Sequence, residues 1–345
     1  MGSLIAIKHL THWMIAMALA ALLSSSLSHA QKITTFDCPK STGTLAMAIN
    51  RTGTITGSCS LPVQVDPTRG FVRGKDGTFS IFGVAGSTVT QPNAINAAGE
   101  IAGQYMDTHT QTHAFIRAVD GTITAFDYPG ATVTQAFGLN DTGWVVGYYF
   151  ANGAGHAFMR DPQGNMTNID PPGTAFTALA AGINNEGVIT GQYEDTSANY
   201  VSFVRDQAGN FTTYQAPGDG VNRTFASGIN SAGQVTGSFS APGNSEQGYL
   251  RNADGTFVTI APPGATFALP LSINSKGSVV GYAADATNTY FGFLRLSSGN
   301  LIVITVPAAG HGGNRGTVTK AVNDSQVVTG YFQDNSGVFH GFLAQ

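Results

Sequence analysis

Charge is what this sequence has least of. Asp, Glu, Lys and Arg together make 10% of its 345 residues, against about a quarter in an average soluble domain. The net charge is −4 and the basic residues are scattered, so the basic stripe that nucleic acid requires is missing. No apolar stretch reaches the roughly 20 residues of a membrane span. There is no Gly-x-Ser-x-Gly, no phosphate-binding Walker loop and no His-Glu-x-x-His, so the common local signatures of hydrolases, nucleotide enzymes and zinc proteases are absent. Helical periodicity is absent after residue 30. Disorder is excluded too, because 42% of residues are hydrophobic and they are regularly placed.

What the chain has in excess is glycine, 44 residues, and it has it in a repeat. Asn50, Asn96, Asn140, Asn184, Asn230, Asn274 and Asn323 each close an apolar run, at spacings of 46, 44, 44, 46, 44 and 49. Three residues after the first six stands a glycine (Gly53, Gly99, Gly143, Gly187, Gly233, Gly277); the seventh unit has Gln326 there. A second glycine follows in all seven: Gly57, Gly103, Gly147, Gly191, Gly237, Gly281 and Gly330. An aromatic anchor recurs at Phe71, Phe115, Phe158, Phe203, Tyr249, Phe293 and Phe342, with Arg two residues later in six units.

Each unit divides into four short strands, A to D. Asn-x-x-Gly between A and B suits a tight hairpin, with glycine supplying the positive φ; Asp-Gly between C and D signals another. Four strands per unit of about 44 residues is the signature of a propeller blade. The expected fold is therefore all-β: a seven-bladed β-propeller of four-stranded antiparallel blades, forming one domain over residues 31–345. An open solenoid is the architectural alternative. Residues 32–37 read as a lone strand D, and the last unit, residues 317–345, lacks one. The N-terminal strand is therefore expected to pair into the C-terminal blade and close the ring, removing two exposed edges. Strand A should line the central channel, where Lys320 is the one charge.

Residues 1–30 read as a secretory signal: Lys8, an apolar stretch over 13–23, and Ser28-His29-Ala30 with small residues at the cleavage positions. Export, to the periplasm or outside the cell, would permit Cys38 and Cys59 to pair, closing a loop of about 21 residues worth about 3 kcal/mol. Two unpaired thiols remain the alternative.

His113-Ala114-Phe115 and His156-Ala157-Phe158, each followed by x-Arg and flanked by Asn-x-x-Gly-x-Ile/Val-x-Gly-x-Tyr, resemble the HAF-type extracellular repeat family, with His340-Gly341-Phe342 a near match. The resemblance spans nearly all of residues 32–345. It implies an exported, propeller-like bacterial protein and carries no settled activity. Four units keep the aromatic and lack the histidine, which argues against a catalytic group common to all units.

Insertions fall on the D–A and B–C connections, whereas the A–B and C–D turns stay short. One face is thus uniform and the other varied, and function concentrates on varied loops held by rigid scaffolds. On that face Asp107, His109 and His113 could hold a divalent ion, although His-x-x-x-His suits one side of a helix and this is a loop entering a strand; no metal or cofactor is expected. Asp107, Asp195, Asp285 and Asp334 recur four residues after the second glycine and could form an acidic ring for calcium or sugar hydroxyls; the plainer alternative is that they cap B–C turns. Asp37, Asp127 and Asp170 are candidate partners for the strand-C arginines. Asp219 and Arg223 in the fifth unit, with His311 and Arg315 on the connection into the seventh, are the remaining isolated polar candidates. These residues point to a monomeric binding module for a glycan, a peptide or a surface partner. The second hypothesis is a lyase or hydrolase acting at the channel mouth.

Overall fold

Why each repeat folds into four strands is visible in the second unit. Its apolar residues alternate along Ser87–Ile95, Ile101–Asp107, Thr112–Arg117 and Ile123–Phe126. These pair antiparallel in sequence order. The computed structural model describes residues 31–62, 68–243 and 245–345, which are all-β without a helix; the leader expected over residues 1–30 lies outside them, as does most of the first unit's B–C connection. The same four-strand ladder is built by the first unit and by the third to sixth. In the seventh, Gly316–Val322, Val328–Gln333 and Phe339–Ala344 supply three strands. Ile33–Phe36, from the other end of the chain, pairs antiparallel as the fourth.

The repeating asparagine does two jobs. In the third unit Asn140 Oδ1 accepts the backbone N–H groups of Thr142 (3.1 Å) and Trp144 (2.9 Å), which shapes the A–B turn. Gly143 completes the turn at φ +83°. At the seventh turn Gln326 adopts φ +60° without being glycine. The other end of each amide reaches out of its own unit. Asn50 Nδ2 donates to Asn96 O, Asn96 to Asn140 O, Asn140 to Asn184 O and Asn184 to Asn230 O. Asn230 donates to Asn274 O, Asn274 to Asn323 O, and Asn323 back to Asn50 O at 3.2 Å. All seven asparagines are buried, so each bond replaces one that water would otherwise make.

The second glycine is required by close approach. It stands directly across from the aromatic anchor, as Gly191 does from Phe203. On its other side, strand A bulges by one residue at the same height in every unit. A Cβ on Gly191 would overlap Leu179 O and lie 2.8 Å from Phe203 Cζ. The seven anchors are buried to 1% exposure or less, each contributing about 1.5–3 kcal/mol.

The strand-C arginines are held differently from expectation. Four of the six guanidinium groups lie over an aromatic ring of the neighbouring strand D: Arg73 over Phe36 (4.7 Å), Arg117 over Phe82 (4.9 Å), Arg160 over Phe126 (4.8 Å) and Arg251 over Tyr214 (4.8 Å), whereas Arg205 lies over Phe211 of its own unit (5.9 Å). Asp37, Asp127 and Asp170 pair with histidines instead. The physical reason is register: the arginine sits toward the C–D turn, whereas the aspartates lie at the far end of strand D. Cation–π contacts contribute about 0.5–2 kcal/mol each and stitch neighbouring units together.

Where the first and seventh units meet, several fastenings coincide. They are the Ile33–Phe36 ladder on Phe339–Ala344, Arg73 at 4.7 Å over Phe36, the Asn323–Asn50 bond and a disulfide between Cys38 and Cys59 (Cα–Cα 6.2 Å). Among the described residues no helix is long and apolar enough to cross a membrane.

Candidate functional site

The face bearing the D–A and B–C connections carries one arrangement three times. An aromatic ring late in strand B stacks on a histidine at the start of strand C, whose Nδ1 meets an aspartate just after strand D. Tyr105, His113 and Asp127 form the first set: rings 4.9 Å apart, Nδ1 to Oδ2 2.9 Å. Tyr149, His156 and Asp170 form the second, at 4.9 and 2.7 Å. Phe332, His340 and Asp37 form the third, at 4.9 and 3.0 Å. The four units without the histidine also lack the aspartate: the positions across strand C and D are occupied by Arg69 and Gly83, Val201 and Gln215, Gln247 and Ala261, Phe291 and Thr305. The two residues therefore occur as a pair. In the second and third units they stand 14 apart, a spacing legible in the sequence.

The surroundings of the three imidazoles differ. His113 Nε2 faces Asp107 at 3.6 Å, and His340 Nε2 faces Asp334 at 3.5 Å, so each ring lies between two carboxylates. Among the described residues His156 has no second carboxylate. Asp170, its one partner, also accepts from Ala157 N (2.8 Å) and Asn168 Nδ2 (3.0 Å). Beneath it Tyr149 stacks on Tyr128 at 3.7 Å, and burial raises the Tyr149 hydroxyl to about 12. Among the described residues no serine, threonine or cysteine hydrogen-bonds any of the three imidazoles. The sets therefore offer charge, hydrogen bonds and aromatic surface without an attached nucleophile.

Asp107, Asp195, Asp285 and Asp334 each cap their own B–C turn. Asp107 Oδ1 accepts from His109 N and Gln111 N, and these backbone bonds, Gln111 first, hold its carboxyl below the usual range. Asp334 is held down to about 2, chiefly by the Ser336 hydroxyl and the Val338 N–H. Asp219 is taken up by Val221 N and the Thr224 hydroxyl, and Arg223 lies 5.9 Å over Tyr200. His311 donates its backbone N–H to Asn335, and Arg315 contributes its carbonyl to Tyr290 N. Among the described residues no contact joins these four side chains to one another. Among the described residues no group of three or more His, Cys, Asp or Glu side chains could hold a metal ion. His113 is the candidate that the structure places in a polar cluster, with Asp107 and Asp127.

The same face exposes large apolar side chains: Phe150 (37%), Phe176 (65%) and Val221 (44%). Phe176 projects because strand A of the fourth unit, Thr174–Ile183, carries an additional irregularity between Thr174 and Ala178. Sequence reasoning missed it, since a bulge set by cross-strand register leaves no local signature. Strand-A residues of six units line a cavity of about 370 Å³. A second hollow of about 300 Å³ lies over the asparagines at the A–B end.

No family model matches the sequence, and no curated protein matches it. Solved structures are similar in fold. Virginiamycin B lyase from Staphylococcus aureus superposes at TM-score 0.60 with 10% identity, over 91% of this chain and 99% of that one. The β-propeller domain of the Trilobed protease from Pyrococcus furiosus gives 0.58 at 9% identity, over 87% and 95%. TolB from Acinetobacter baumannii gives 0.50 at 12% identity, over 89% and 65%. The architecture is that of β-propellers, and at these identities the likeness concerns the fold alone.

Proposed function

We propose that this chain is an exported, closed seven-bladed β-propeller of the HAF-repeat type that binds a glycan or protein ligand, as a monomer, on the face carrying the D–A and B–C connections. Closure is supported by the asparagine bonds, which return from Asn323 to Asn50. Export is supported by the Cys38–Cys59 disulfide, which belongs in an oxidising compartment. The binding reading is carried by one observation. The three aromatic–His–Asp sets and the exposed Phe150 and Phe176 share the varied face, and aromatic surface beside fixed hydrogen-bonding groups is how binding sites combine affinity with orientation. The test is a glycan array and a displayed-peptide library probed with residues 31–345. Binding should fall at least tenfold in Phe176→Ser and His156→Ala and persist in Val119→Ser, an exposed residue of the opposite face. Ligands retained by the first two variants refute the assignment.

One observation favours an enzyme as the second reading: Asp170 holds His156 Nδ1 at 2.7 Å, and Nε2 has no hydrogen-bond partner among the described residues. That is the form of a general base awaiting a substrate proton. Turnover of any hydrolase or lyase substrate by the parent chain, lost in His156→Gln, would establish it.

A further inference from the structure

In a chain that repeats almost everything, one strand-A position differs in all seven units. It lies three residues before each asparagine: Met47, Asn93, Phe137, Ala181, Ser227, Leu271 and Lys320. It is also the residue at which strand A bulges in every unit. A bulge re-aims a side chain away from the regular alternation, and here it turns these residues to the axis, where all but Ala181 line the 370 Å³ cavity. The positions on either side are small in most units: Ala, Pro or Thr before, Gly, Ala or Ser after. The scaffold therefore presents one freely chosen side chain per unit to a common space.

What those choices make is asymmetric. Among the described residues Lys320 is the only charged one lining the cavity. Its ammonium has no hydrogen bond or ion pair among the described residues, and desolvation pushes its pKa down. Lys320 is half-buried at the cavity wall, and no fixed counter-charge faces it there, so an anion is the complementary group at this point. In unit order Lys320 stands between Leu271 and Met47, with Phe137 and Ala181 across the axis; Ser227 and Asn93 lie between. Asn93 spends its Nδ2 on Ala136 O (2.8 Å). We infer that the axial cavity binds a small organic monoanion with an apolar body, its carboxylate on Lys320 and its hydrocarbon part against Phe137, Leu271 and Met47. The volume suits it, since ligand cavities fall at about 300–1,000 Å³.

Phenylacetate serves as the probe, and phenylacetamide, nearly the same in shape without the charge, as its control. Calorimetric titration of residues 31–345 should show the acid binding at least thirtyfold tighter than the amide. Lys320→Met should abolish that preference, Lys320→Arg should keep it, and Phe137→Ala should weaken the acid at least fivefold. Lys320→Met removes an unpaired charge, so its thermal midpoint without ligand should match or exceed the parent's, which guards against misfolding as the cause. Equal binding of acid and amide, undiminished acid binding in Lys320→Met, or no binding of phenylacetate by the parent would each overturn the inference.

Discussion

Replacing Asn140 by aspartate separates the two jobs of the repeating asparagine. The turn-forming half survives, because a carboxylate oxygen can still accept from Thr142 N, the Thr142 hydroxyl and Trp144 N. The inter-unit half is reversed: the Nδ2 donor to Asn184 O at 3.1 Å becomes a second anionic oxygen facing a carbonyl. Losing a buried hydrogen bond costs about 1–3 kcal/mol, and an uncompensated buried charge adds a few more. Asn140 is 3% exposed, so about 4 kcal/mol is the expected loss at pH 7. The variant should also respond to pH with a particular sign. The buried carboxyl has its pKa raised above the ordinary value of about 3.9, so the penalty is full above that raised pKa. It lifts as pH falls through it, because a protonated carboxyl can donate to Asn184 O as the amide did. Urea denaturation at pH 7 and pH 4.5 reads both effects through the midpoint. Asn140→Ala, which loses both jobs, should be destabilised at both pH values. Asn323→Asp should repeat the behaviour where the first and seventh units meet. An Asn140→Asp midpoint equal to the parent's at pH 7, or a deficit that fails to shrink toward pH 4.5, would refute the reasoning.

Other outcomes follow from the same geometry. Gly191→Ala places a Cβ against Leu179 O and the Phe203 ring and should cost about 3 kcal/mol or more, seen as a lower urea midpoint. Gln326→Gly relieves a left-handed residue at φ +60°; the strain of about 1–2 kcal/mol less the entropy of glycine leaves a gain of about 0.5 kcal/mol. Reducing the Cys38–Cys59 bridge, which spans 21 residues, should lower stability by about 3 kcal/mol, and Cys38→Ser with Cys59→Ser should be insensitive to reductant. Asp334 has its folded pKa depressed from 3.8 to about 2. Its contribution is therefore present above about pH 4 and lost as pH falls through 2, and Asp334→Asn should flatten that part of the acid-unfolding curve.

The repeat made the strands legible because tight hairpins need glycine and asparagine at fixed places; the anchors were legible because a residue recurring at one register of a short strand is core. The fourth strand of the last unit could be read from leftover pieces: a lone strand before the first unit and a three-strand unit at the end. The partners of Asp127 and Asp170 could not. Choosing between Arg117 and His113 requires knowing which end of strand C lies beside the end of strand D, and the sequence gives spacing but not which way a side chain turns. The bulge that aims Lys320 at the axis is hidden for the same reason, since one extra residue shows only against a partner strand.

The amide bonds between units all run the same way round, each unit offering a hydrogen to the next and receiving one from the last. In these amide bonds every unit is thus a part with one plug and one socket of the same kind. Duplicating or excising a whole 44-residue module would leave every socket filled and alter only the angle between neighbours. In the closed ring proposed above, such a chassis could change its bore by gene duplication without redesigning a single joint.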